Sequence, residues 1–102
     1  MNGQQFCFHG YLPPNKGELA KALKRLESEA RKRNQSQIFI ETPYRNKGLI
    51  EVALNALSKE TQFCIAADIT LPSQYIKTKK IKNWQKTSIP DLHKKPAIFI
   101  IQ

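Results

Sequence analysis

The segment Ala97-Ile98-Phe99-Ile100-Ile101, near the end of the chain, is apolar at every position. A strand with one face in water alternates apolar and polar residues, whereas an unbroken apolar run is the pattern of a strand buried on both faces. At five residues it is far short of the roughly 20 that a membrane-spanning helix needs. The rest of the chain must therefore build a sheet around it.

The preceding sequence reads as the material for that sheet. In FCFHGYL, 6–12, Phe6, Phe8 and Gly10 alternate with Cys7, His9 and Tyr11, which predicts a strand closed by Pro13-Pro14. Asn15, with Glu18 three residues on, predicts a capped helix start. Leu19, Ala22, Leu23, Leu26 and Ala30 then recur on one helical face, opposite Lys21, Lys24, Arg25, Arg31 and Lys32. Asn34-Gln35-Ser36 breaks this pattern, and QIFIET, 37–42, reads as a buried strand. A second helix is expected from near Thr42 or Asn46, with an apolar stripe of Ile50, Ala53, Leu54 and Leu57. Residues 62–69 form another near-continuous apolar strand, and Leu71-Pro72 a turn. In YIKTKKI, 75–81, alternating lysines suit a short strand at a sheet edge, followed by a short helix at NWQK. Strands alternating with helices over short loops imply an α/β protein, a mixed five-stranded sheet flanked by helices.

At 102 residues one domain is expected. Charge is the strongest compositional signal: 17 Lys+Arg against 8 Asp+Glu give +9, a field that attracts RNA phosphates or a polycarboxylate substrate. With 2 Cys and 2 His and no CxxC or HxxxH spacing, no zinc ligand set exists, and Cys7 and Cys64 read as small buried hydrophobes. The first five residues lack the basic segment and apolar run of a signal peptide, so a cytoplasmic protein is expected. No GxGxxG, P-loop or Ser/His/Asp set is present.

FIETPYR, 39–45, is a strand-to-helix corner, the position at which open α/β sheets bind ligands. Thr42 can cap a helix there and Pro43 suits its first position. Glu41 ends a buried strand, and Arg45 stands at the unfavourable end of a helix dipole. Either the two form an internal ion pair, or Glu41 orders a pocket and Arg45 meets an anion. Tyr75 and Trp84 lie among lysines and could stack bases, with core packing the simpler role for Trp84.

Taken in order, FHGYLP at 8–13, FIETPYR at 39–45, CIAADIT at 64–70 and AIFIIQ at the end resemble, over nearly the whole chain, the C-terminal half of the tetrapyrrole-methylase superfamily of S-adenosylmethionine-dependent methyltransferases. The similarity is greatest to the ribosomal RNA small subunit methyltransferase I family. Gly10-Tyr11-Leu12-Pro13 resembles the GFLP-like turn that opens the second domain, 39–45 its YESPHR-like corner, and 65–68 its alanine-bearing strand. The resemblance implies that residues 1–102 are the C-terminal methyltransferase domain of a two-domain fold, and nothing in the chain matches the N-terminal domain with its cofactor loop. It implies S-adenosylmethionine as cofactor, with Thr42, Ala66 and Ala67 against it. Gly10, Tyr11, Pro13, Glu41 and Arg45 would face the substrate or the other domain. No general base and no metal ligand is assigned. The implied acceptor is a ribose 2′-hydroxyl of small-subunit rRNA, and the implied partners are the N-terminal domain, rRNA or the small ribosomal subunit and a second copy in a homodimer, with no membrane. A methylase of a tetrapyrrole or other small molecule, and a non-catalytic RNA-binding module, remain as alternatives. The chain departs from the RNA-methylating pattern at Asp68 and Ile69, where those relatives carry arginine and glutamate, and at His9, where an acidic residue is common.

Overall fold

The computed structural model describes residues 5–89, 91–92 and 95–102. Strand β1 (Phe6–Tyr11) leads into helix α1 (Lys16–Arg33), strand β2 (Ser36–Glu41), a 3-10 turn (Pro43–Arg45) and helix α2 (Asn46–Ala56). Strand β3 (Gln62–Ala67), strand β4 (Tyr75–Lys80), helix α3 (Ile81–Gln85) and strand β5 (Ala97–Ile101) complete the order. The strands form one sheet in the order β1-β2-β5-β3-β4, so the apolar terminal segment is its central strand. β1 and β2 are parallel, while β5 runs antiparallel to both β2 and β3. The carboxyl ends of β1, β2 and β3 therefore lie along one edge.

The crossovers β1-α1-β2 and β2-α2-β3 step the same way across the sheet. Right-handed crossovers in one direction place their helices on one face, and α1 and α2 pack against each other there. Beneath them Phe39, Phe63, Phe99, Ile65 and Ile101 are fully buried. The Phe99 ring centroid lies 5.7 Å from that of Phe39 and 5.9 Å from that of Phe63. Trp84 is buried too, its indole N–H donating to the Phe63 carbonyl at 2.8 Å, which makes it a core residue.

No described element covers the opposite face, and this corrects the reading of β5 as buried on both sides. Its Ala97, Phe99 and Ile101 are buried beneath the helices, whereas Ile98 and Ile100 are only half-buried. β3 is buried from Phe63 to Ala67 because the small Cys64 and Ala66 are sheltered by taller register partners, Ile100 beside Cys64 and Ile98 and Ile76 beside Ala66.

β1 holds a second correction. Phe8 pairs with Ile38 but Tyr11 with Ile40, so β1 carries one extra residue, accommodated at Gly10 with φ +70°. This backbone conformation is natural for glycine and strained for other residues. It breaks the alternation, so Tyr11 joins Phe6 and Phe8 on the uncovered face instead of opposing them.

The helices follow their expected stripes. The Asn15 side chain accepts the Glu18 amide at 3.2 Å, and Leu19, Ala22, Leu23, Leu26 and Ala30 are buried. Along α2, Ile50 and Ala53 are buried, as is Leu57 just beyond its end; Leu49 joins them, and Leu54 is half-buried. Thr42 does not cap. The Arg45 amide that a cap could take already bonds to the Thr42 carbonyl at 2.9 Å, and the Thr42 amide donates to Glu41 Oε1 at 2.7 Å.

Glu27, on the buried side of α1, accepts the Ser58 amide at 2.8 Å and the hydroxyls of Ser58 and Thr61, tying α1 to the α2–β3 loop. Removing it strands buried donors, so Glu27→Ala should lower the unfolding free energy by about 2–3 kcal/mol in a urea titration, and Glu27→Gln by less. A surface contact gives a pH test. The ammonium groups of Lys82 and Lys80 hold the exposed Glu60 carboxyl down at about 2, against an ordinary 4.5. The stabilisation is thus present above pH 4.5 and lost as the pH falls toward 2. The melting-temperature difference between wild type and Glu60→Gln should be small at neutral pH, weaken with salt, and disappear across that acid window.

Candidate functional site

Where the carboxyl ends of the parallel strands meet the start of β5, the backbone opens into a cleft of about 340 Å³. Tyr11 of β1, Ile40 and Glu41 of β2, Ala66 of β3, and Ala97 and Ile98 of β5 form its walls, with Asp68, Ile69 and Leu71 from the turn after β3. The walls are largely apolar, and the small side chain of Ala66 leaves the backbone approachable. This is the position at which open α/β sheets gather ligand contacts. A larger hollow of about 560 Å³ lies between α2 and residues 89–92, lined by Ile50, Leu54, Ile89 and Leu92 with Lys47, Glu51 and Asp91. It is remote from the strand ends, and no strand terminus converges on it, so the smaller cleft is the better candidate.

Two buried carboxylates stand in the cleft wall, each held in place. Asp68 ends β3 in the left-handed region at φ +50°, a conformation that Asp and Asn tolerate better than most residues. Its Oδ2 accepts the Ser73 hydroxyl at 2.8 Å and lies 3.7 Å from Lys95 Nζ. Its carbonyl accepts the Leu71 amide at 3.0 Å, so the turn that supplies Ile69 and Leu71 is built around it. Glu41, only 7% exposed, is held by the Thr42 amide. It also lines a neighbouring hollow of about 290 Å³ with Lys16, Tyr44 and Arg45. Arg45 is exposed, and among the described residues the ion pairs join other partners, so a Glu41–Arg45 pair is not what holds this corner.

Of the residues singled out in the sequence, Tyr11, Glu41 and Ala66 come together in the cleft and Arg45 flanks it. Ala67 points the other way, into the core beneath the helices. Thr42 and Pro13 are half-buried beside the corner, and Gly10 acts through the bulge that turns Tyr11 toward the cleft. Asp68, which entered only as a departure from a pattern, proves to organise one wall, and its positive φ has no signature in strand periodicity. Ala97 and Ile98 were missed as site residues because only the pairing of Ala66 with Ile98 brings them there. His9 accepts or donates a 2.6 Å bond with Gln37 Oε1 beneath the covered face, outside the cleft.

The cysteines are both free; Cys64 is buried and Cys7 only half-buried. Burial pushes the Cys64 thiol up, which keeps it neutral and unreactive. Among the described residues no group of three or more His, Cys, Asp or Glu side chains is disposed to hold a metal ion, and no helix is long and apolar enough to cross a membrane.

No family model and no curated protein matches this chain. Solved structures do. The methyltransferase CobJ superposes with a TM-score of 0.55 at 17% identity, over 97% of this chain and 41% of that one. The cobalamin biosynthetic enzyme cobalt precorrin-4 methyltransferase, CbiF, superposes with a TM-score of 0.54 at 14% identity, over 96% of this chain and 40% of its own. The chain thus spans about two fifths of each of these proteins. At this level of identity the likeness establishes the fold, that of the C-terminal domain of tetrapyrrole-methylase-like proteins, as the motif order predicted.

The turn after β3 can be tested by substitution at one position. Asp68→Asn keeps a hydrogen-bonding side chain that tolerates φ +50° and should leave stability within about 0.5 kcal/mol of wild type. Asp68→Ala loses both features and should cost about 1–2 kcal/mol by denaturant titration.

Proposed function

We propose that this chain forms the C-terminal part of an S-adenosylmethionine-dependent methyltransferase, and that the cleft at the strand ends is one wall of its active site. The observation that carries the reading is the convergence of Tyr11, Glu41 and Ala66, each from a different motif and a different strand, on one cleft. The fold likeness to two methyltransferases supports it. At about 340 Å³ the cleft stands at the lower end of ligand pockets, roughly 300–1,000 Å³, and so has room for part of a nucleoside cofactor. The N-terminal domain of the same protein would supply the facing wall.

The cofactor supplies an activated methyl group, so what the protein must contribute is alignment of an acceptor with it. Ala66 lets a flat ligand approach the β3 backbone, and the apolar side chains of Ile40 and Ile98 exclude water beside it. Glu41 and Asp68, held by the Thr42 amide and the Ser73 hydroxyl, present acceptor oxygens in fixed geometry for hydroxyl or amino groups. These residues orient; the group that removes the acceptor proton is not assigned to this chain.

The proposed acceptor is a ribose 2′-hydroxyl of small-subunit rRNA. The excess of 17 Lys+Arg over 8 Asp+Glu favours it, with Lys16 and Arg45 beside the cleft and Lys21, Lys24 and Arg25 exposed on α1. A second reading, a tetrapyrrole acceptor, is favoured by the cobalamin biosynthetic enzyme among the structural neighbours, and the carboxylates of such a substrate suit the same charge.

Labelled S-adenosylmethionine with full-length protein separates these readings. Label should enter small-subunit rRNA, and RNA affinity should fall steeply with salt. Reversing Lys21, Lys24 and Arg25 to glutamate should weaken binding and flatten the salt slope. Label in a precorrin and none in RNA would select the second reading, and failure to bind the cofactor at all would overturn both. Arg45→Ala should leave the melting temperature nearly unchanged and slow single-turnover transfer about tenfold, equivalent to roughly 1.4 kcal/mol. Residues 1–102 alone should bind the cofactor more weakly than micromolar by calorimetry, since half the pocket is elsewhere.

A further inference from the structure

The uncovered face of the sheet carries an apolar surface that the cleft does not use. Phe6 is 60% exposed, Phe8 59%, Tyr11 64% and Ile76 52%, and the half-buried isoleucines of β2 and β5 lie between them. The pairing of Phe8 with Ile38, Ile38 with Ile100, and Ile100 with Cys64 makes one continuous band across the sheet. With aromatic side chains of about 150–250 Å² each, the three exposed rings alone present roughly 350 Å². With the isoleucines added, the face exceeds the ~300–600 Å² of the largest patch on an ordinary monomer and approaches the ~800 Å² that each partner contributes to a standard interface.

We propose that this face is a self-association surface, on which a second copy of the chain packs sheet against sheet about a two-fold axis. Charge selects the occupant. The chain carries +9, so two copies repel over most of their surfaces. A two-fold contact brings the same patch against itself, and a patch of one sign is then self-repelling while a neutral apolar one is self-complementary. The strands direct Phe, Tyr, Ile, Cys, Ala, Ser, Thr and Gln side chains to this face. The one lysine that β4 adds by alternation, Lys80, stands at the border and is paired with Glu60 at 2.9 Å. Packed aligned about 10 Å apart, two such faces form the inner layer of a β-sandwich and bury on their second side the isoleucines that one copy leaves half-exposed. The inference does not depend on the methyltransferase reading.

Sedimentation equilibrium of the 102-residue chain tests it. The wild type should be a dimer with a micromolar dissociation constant. Phe8→Lys, which lies outside the cleft and replaces an exposed ring, should weaken association at least tenfold while the far-UV spectrum and Trp84 fluorescence stay those of the folded chain. Should that variant not fold, Phe8→Ser and Ile76→Ser together remove the same apolar area without adding charge, and should give the same monomer. Lys24→Glu, on the helical side, should leave the dimer intact. A wild type that remains monomeric at about a hundred times micromolar concentration, one that forms open-ended aggregates, or a folded Phe8→Lys variant that still dimerises would each overturn the proposal. Association driven by the charged surface would instead appear as sensitivity to Lys24→Glu and to salt, which also contradicts it.

Discussion

Everything in this molecule leans on β5 taking its place between β2 and β3. The two neighbours make no ladder with each other; each is hydrogen-bonded to β5, and Phe99 lies between Phe39 and Phe63 with ring centroids 5.7 and 5.9 Å away. The strand comes from the end of the chain, so the sheet is completed by its most non-local pairing. Loop-closure entropy must be met before this contact stabilises anything, which is the topology that folds slowly. The large apolar content of β5 suits that role, since a single strand anchors both halves of the sheet and the helices above it.

Handedness then decides where the chemistry can occur. Two crossovers stepping the same way place α1 and α2 on one side and direct the carboxyl ends of three parallel strands to one edge. Residues from β1, β2 and β3 that are tens of positions apart in the chain meet there, and the turn built on Asp68 closes one side. The same arrangement leaves the other side of the sheet without a layer. The cleft and the bare apolar face are thus two consequences of one topological choice.

Some of the site was legible in advance and some was not, for identifiable reasons. Glu41 and Ala66 could be marked because they end strands whose periodicity is strong, and strand ends are where such folds bind. Ala67 could not be separated from Ala66 by composition; only its side of the sheet distinguishes them, and in this fold that side is core. The expected cap at Thr42 failed because a 3-10 turn precedes α2 and satisfies the Arg45 amide with the Thr42 carbonyl, an outcome that residue type alone does not encode. Glu27 was not anticipated as buried because its partners, Ser58 and Thr61, belong to a loop distant in the chain.

The type and order of the elements, the apolar stripes of α1 and α2, the Asn15 cap and the edge position of the lysine-bearing strand were all determined by the sequence. These depend on propensities and periodicities that act within a few residues. Which side of β5 is buried, which side of β1 carries Tyr11, and which residues share the cleft were decided only by tertiary structure. A run of isoleucines reads the same whether one layer or two will cover it, and one glycine at φ +70° reverses a pattern of alternation that assumes an unbroken pleat. Burial is a property of the layers a chain assembles, and no local window of sequence counts layers.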